Sequence, residues 1–106
     1  MNTGTNIEQL ESLHLVISAG LNHMVREEMA EKLLYEIVDG FNERIRRRLK
    51  KHANGSRITG KMTLTSIEAK ALYCWYQNMQ HTLEGPYKYE CLIGQTLIDK
   101  IHKEYA

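Results

Sequence analysis

The side chains able to do chemistry in this chain are scattered rather than assembled. Metal chemistry would fall to His14, His23, Cys74, His81, Cys91 and His102. No two of them stand at a zinc-finger, zinc-ribbon or HExxH spacing. Cys74 and His81 are two helical turns apart, and Cys91 approaches them only if the last two helices pack suitably. No bound metal or other cofactor is therefore expected. For nucleophilic catalysis there is no G-x-S-x-G elbow. Cys74 lies between Tyr73 and Trp75 in an apolar stretch, where burial would raise its pKa and blunt it. The carboxylates of Glu27-Glu28-x-x-Glu31 read as the solvated face of a charged helix rather than an acid–base pair. Neither a G-x-G-x-x-G nor a P-loop pattern is present to cradle a phosphate. The chain is expected not to be an enzyme, and no small-molecule substrate is evident.

A different kind of chemistry is written in the charge. Residues 1–43 hold eight carboxylates against Arg26 and Lys32, a balance of −6. Residues 44–61 hold Arg44, Arg46, Arg47, Arg48, Lys50, Lys51, Arg57 and Lys61 and no acid, a balance of +8. The remainder is −1, so the formal net charge of +1 conceals a dipolar molecule. Cations at a helix C-terminus complement the macrodipole, and two or three lysines suffice for that. Six cations in the eight positions 44–51, four of them arginine, exceed it. Arginine's planar fork suits carboxylate and phosphate, so these eight residues are the candidate contacts to an anionic partner.

That partner is either protein or nucleic acid. The acidic stretch Glu27 to Glu43 on a second copy fits the basic run in an antiparallel dimer, making a homo-oligomer or protein complex the first expectation. Nonspecific phosphate contact with nucleic acid is the alternative, with Arg57 and Lys61 adding reach. Membrane binding is not expected, because the apolar face of the same helix is needed for the core. A helix-turn-helix is poorly supported. Leu64-Thr65-x-x-Glu68-Ala69 begins like one, but a turn at Gly94 puts Glu90 where a small residue is needed and Lys100 where an apolar one is needed.

The positioning elements read as helices. Asn6 and Gln9 make a capping box ahead of Leu10, Leu13, Ile17, Leu21 and Met24 at helical spacing. Gly20 and Asn22 interrupt that segment, and we expect a break there. An unbroken helix to Lys51 would be about 65 Å long, excessive for 106 residues. A second helix over about 22–52 carries Ala30, Leu34, Val38, Phe41, Ile45 and Leu49 on one face, with Ile37 beside them. Gly40, next to this stripe, is read as permitting close backbone approach, with a tolerated glycine costing about 1 kcal/mol as the alternative. Asn54-Gly55 ends the helix, and 53–64 is expected to be a mobile loop. Thr65-Ser66-Ile67-Glu68 fits a second capping box. The helix after it is poor in charge, with Ala69, Leu72, Trp75, Tyr76, Met79 and Leu83 on one arc extended by Ile67, Ala71 and Cys74. Tyr73 falls opposite the arc. Gly85-Pro86 breaks this helix, and a fourth runs from about Tyr87 to Glu104 with Tyr89, Ile93, Leu97, Ile101 and Tyr105 as its seam.

The expected fold is a single all-α domain, a compact bundle of three to four helices with a long bipolar second helix. The composition, 42% hydrophobic and 25% charged, is that of an ordinary globular protein. Two cysteines are too few for a disulfide framework. With no basic n-region and no apolar run long enough to span a bilayer, a cytoplasmic location is expected.

Overall fold

Asn6 starts the first helix as its spacing predicts: its Oδ1 accepts the Gln9 N–H at 2.8 Å and the Gln9 side chain accepts the Asn6 N–H at 3.0 Å. Such a cap stabilises a helix by about 1 kcal/mol. The computed structural model describes residues 1–55, 62–83 and 85–105. It contains four helices, α1 (Ile7–His23), α2 (Met29–Ala53), α3 (Ser66–Leu83) and α4 (Lys88–Tyr105). The Thr65 box holds as well: its hydroxyl accepts from the Glu68 N–H at 3.1 Å and Glu68 Oε1 accepts from the Thr65 N–H at 2.9 Å. Asn54-Gly55 ends α2, with Gly55 at φ +81° and its N–H donating to His52 O at 3.0 Å. A positive φ there suits a glycine.

α1 packs against α2 and α4, α3 packs against α2 and α4, and α1 also touches α3 across the diagonal. Neighbours run antiparallel. His14 and Ser18 meet Asn42, while His23 lies near Ala30. Arg44 meets Glu68 at the start of α3, while Leu34 lies near Met79 at its end. The 25 residues of α2, about 37 Å of helix, nearly fill the 40 Å long dimension of the protein. The chain must therefore break before α2.

The break falls later than expected. α1 continues through Gly20 to His23, and Met24 turns extended at ψ 133°. α2 begins at Met29 rather than near Asn22, because Glu31 Oε1 accepts the backbone N–H groups of Glu28 at 2.8 Å and Glu27 at 3.3 Å. Gly20 has another purpose. A Cβ there would lie 2.2 Å from Trp75 Cζ2, so glycine lets the indole of α3 lie on the backbone of α1. Gly40, by contrast, is exposed, and among the described residues nothing lies within 4 Å of a Cβ placed there.

One core joins the four helices. Val38, Phe41 and Ile45 of α2, Leu10, Leu13 and Ile17 of α1, Leu72 and Trp75 of α3, and Leu97 and Ile101 of α4 are all at most 2% exposed. Four expected core positions are outside it: Ala30, Ile67, Cys74 and Tyr89 are exposed. On α4 the buried arc is Cys91, Gly94, Leu97, Ile98 and Ile101, rotated from the expected seam. It turns that way because Tyr76 lies against Gly94, where a Cβ would be 3.3 Å from the ring, and its hydroxyl donates to Cys91 O at 3.3 Å.

The expected mobile loop divides in two. Residues 56–61 lie outside the described residues. Residues 62–64 are pinned beside residues 1–3: Leu64 N–H donates to Met1 O at 2.7 Å and Thr3 N–H to Met62 O at 2.9 Å. Met62 and Leu64 are buried and Thr63 between them is exposed, the period-2 pattern of an extended segment over a core. No helix among the described residues is long and apolar enough to cross a membrane.

Candidate functional site

The basic run is ordered helix, and α2 distributes its cations unequally. Ile45, fully buried, and the half-buried Leu49 hold this end of α2 on the core. The spacing then sends Arg44 and Arg48 to one flank, Arg46 and Lys50 to another, and Arg47 and Lys51 outward. Arg44 is committed internally. Its Nη1 grips the Glu68 carboxylate, 2.6 Å from Oε1, and its Nη2 donates to Thr63 O at 2.7 Å. Arg46 clasps Glu43 of its own helix through Nε at 3.1 Å and Nη2 at 2.9 Å. Among the described residues, Arg47, Lys50 and Lys51 are exposed and form no salt bridge, although the Arg47 charge contributes to lowering Glu43. Arg48 is half-buried. Arg57 and Lys61 lie outside the described residues. Arg47, Lys50 and Lys51 are thus the free cations of the ordered run.

Two carboxylates feel this arrangement. Burial pushes the Glu68 carboxyl up, but the Arg44 hydrogen bonds, the Thr65 N–H and hydroxyl and the Arg44 charge together outweigh it and hold its pKa below the ordinary value. Glu43 is lowered chiefly by its hydrogen bonds with Arg46. A depressed Glu68 pKa contributes stability that is present above the unfolded carboxyl's pKa and lost as pH falls through the folded one. Glu68→Gln keeps an N3 acceptor for the capping box and removes the charge that Arg44 grips. Because Arg44 is 39% exposed, solvent screening limits the expected loss to about 1 kcal/mol. In urea titrations that gap between wild type and variant should be full above about pH 5 and close as the carboxylate protonates below it. A gap unchanged down to acid pH would remove the ion pair as its cause.

The outward face of α2 also carries what the run alone does not show. Met29, Leu33, Glu36, Gly40, Arg47 and Lys51 share it by helical periodicity, and all six are exposed. Met29 is 79% and Leu33 58% exposed, and Val25 at 57% continues the patch onto the connection before α2. Acids surround this apolar end at Glu27, Glu28 and Glu36. The face therefore runs from apolar and acidic, through a bare glycine, to cationic. The exposure of Met29 and Leu33 is not foreseeable from the α2 stripe, because both lie off it and exposed apolar residues are common singly.

The remaining candidate ligands do not converge. Among the described residues no group of three His, Cys, Asp or Glu side chains stands placed to hold a metal ion. His14 is no ordinary surface histidine: its Nδ1 lies 2.9 Å from Oδ1 of the buried Asn42, whose Nδ2 donates to Ser18 Oγ at 3.0 Å. Cys91 is buried, but Cys74 is exposed, contrary to the burial expected of it between Tyr73 and Trp75. It lines an apolar hollow of about 380 Å³ with Lys70, Tyr73, His102 and Tyr105. Lys70, one turn before Cys74, is a cation at helical spacing that the sequence reading overlooks. Tyr73, expected to be the exposed tyrosine, is half-buried and stacks on His102 with ring centres 5.7 Å apart. No family model, curated protein or solved structure matches the chain.

Proposed function

We propose that the chain is a small non-enzymatic helical module that assembles with a second copy of itself through the outward face of α2. The observation that carries this reading is the symmetry of the face about Gly40. Leu33 and Arg47 lie equally far on either side of it, and so do Met29 and Lys51. Two α2 helices laid antiparallel and crossing at Gly40 would therefore oppose Leu33 to Arg47 and Met29 to Lys51, on both sides of the two-fold axis.

Each opposition is favourable in two ways. The aliphatic stems of Arg47 and Lys51 would cover the exposed Leu33 and Met29. Their charged ends would then reach Glu36 and the Glu27-Glu28 pair, one turn or less along the partner chain. The bare surface at Gly40, with no neighbour within 4 Å of a Cβ, lets the two helices approach at the crossing. The internal commitments of Arg44 to Glu68 and Arg46 to Glu43 and the half-burial of Arg48 weigh against a broad phosphate-binding surface, since they leave Arg47, Lys50 and Lys51 as the exposed cations without a salt bridge on the described part of the run.

Light scattering after size exclusion, at low and at high salt, tests this reading. The expected mass is twice the 12.3 kDa of the chain at low salt, falling towards a single chain near 1 M salt as the rim charges are screened. A single-chain mass at every salt would sink it. If such a monomer also bound duplex DNA or RNA with steep salt dependence, the alternative of a nucleic-acid accessory protein would take its place.

A further inference from the structure

A groove of about 500 Å³ lies between the α1–α2 connection, the start of α2 and the end of α3. Met24, Val25, Ala30, Leu34 and Met79 give it apolar walls, and Asn78 and Thr82 a polar rim. Trp75 lines it from the core side and is 1% exposed. Its indole Nε1 is buried with no hydrogen-bond partner among the described residues, a condition that folded proteins rarely leave unexplained. The edge of the ring bearing Cε2 and Cζ2 faces Gly20, with distances of 3.2 and 2.2 Å to a Cβ placed there. Nε1 is bonded to Cε2, so the donor sits towards the last turn of α1. The residues that follow there, His23 and Met24, form the groove's wall.

We propose that this groove is a binding site for a small uncharged molecule with an apolar body and one carbonyl-type acceptor. The acceptor takes the Trp75 indole N–H, and the body lies against Met24, Leu34 and Met79. The volume is within the usual range for small-molecule sites, and apolar walls with a few placed polar groups are their usual lining. The surroundings disfavour a negatively charged ligand: Glu31 lines the groove, Glu27 and Glu28 precede it in the chain, and among the described residues no lysine or arginine lines it. An anion would be repelled there. Met24 and Met79 are the gate. Both line the groove, and their unbranched side chains re-rotate easily, which can open a path to the buried donor.

This site does not depend on self-assembly, because Ala30 and Leu34 face α3 rather than the outward face of α2. Its test uses the single tryptophan of the chain, which gives one indole N–H signal in a ¹⁵N-correlated spectrum. Acetophenone is titrated against ethylbenzene, a probe of similar size without the acceptor. Acetophenone should move the indole proton downfield to saturation and bind about tenfold more tightly than ethylbenzene, the size of one neutral hydrogen bond. Ala30→Phe, a change at an exposed helical position that fills the groove, should abolish the saturable shift while leaving the fold intact. No saturable shift up to the solubility limit, equal affinity for the two probes, or undiminished binding by Ala30→Phe would each overturn the proposal.

Discussion

Gly20→Ala is expected to destabilise the protein by about 2 kcal/mol, although alanine is the better helix former by about 1 kcal/mol. The added methyl would sit 2.2 Å from Trp75 Cζ2, and an indole 1% exposed can give way only by disturbing the side chains packed around it. Overpacking of this kind costs about 1–3 kcal/mol, and a displaced tryptophan also forfeits part of its own burial. For a domain of this size the melting temperature should fall by about 8–15 °C. Gly40→Ala, measured near 1 M salt where self-association is screened, is the matched control, being another mid-helix glycine with open space around it within its own chain. It should gain about 0.5–1 kcal/mol. A cycle pairing Gly20→Ala with Trp75→Phe should show a coupling that relieves the clash, since the smaller ring withdraws the contacting atoms. Equal stability of the two alanine variants would mean that the indole does not lie on the α1 backbone.

The two glycines show what was legible in the sequence and what was not. Both interrupt helical stretches, and the sequence reading assigns a break to Gly20 and close approach to Gly40. The structure reverses this: the close approach is at Gly20 and the open space at Gly40. Glycine at a helical position states that a side chain is absent, not what occupies the space. That depends on a tryptophan 55 residues away, which no local pattern reports. The caps at Asn6 and Thr65 are legible because both partners lie within three residues and the chemistry is local. The start of α2 is hidden for the converse reason, because Glu31 serves the N–H groups of Glu27 and Glu28 and residues 24–28 contain neither proline nor glycine.

The same division runs through the site. The sequence shows where the cations are, and its helical phase places Arg47 and Lys51 on the solvent side. It cannot show that Arg44 is spent on Glu68 and the Thr63 carbonyl, because these sit across an interface between α2 and the segment leading into α3. Nor does it single out Met29 and Leu33, whose importance comes from lying on one face with Arg47 and Lys51. The exposure of Cys74 follows from a rotation of α3 about an arc whose edges apolar periodicity leaves undefined. Positions in the middle of that arc, such as Leu72, Trp75 and Met79, are buried as expected.

Reversing charges on the outward face of α2 should convert self-assembly into obligate pairing of two different variants. Arg47→Glu with Lys51→Glu makes both ends of the face acidic. Glu27→Lys with Glu36→Lys makes both ends basic. All four residues are exposed, so the fold should tolerate either change. Exposed ion pairs contribute about 0.2–1 kcal/mol each, and a two-fold interface repeats every one of them. Turning them into repulsions should weaken self-association of either variant by about 100-fold. In an equimolar mixture the acidic and basic variants present complementary ends in both halves of an antiparallel pair, and association should return to near the wild-type level. Sedimentation of each variant alone and of the mixture reads this directly. Rescue in the mixture separates the assembly reading from its alternative: a phosphate-binding surface would be abolished by the acidic variant, and adding the basic variant would supply a second binder without forming any complex between the two chains. Two variants that remain apart when mixed, while wild type dimerises, would move the interface off α2 altogether.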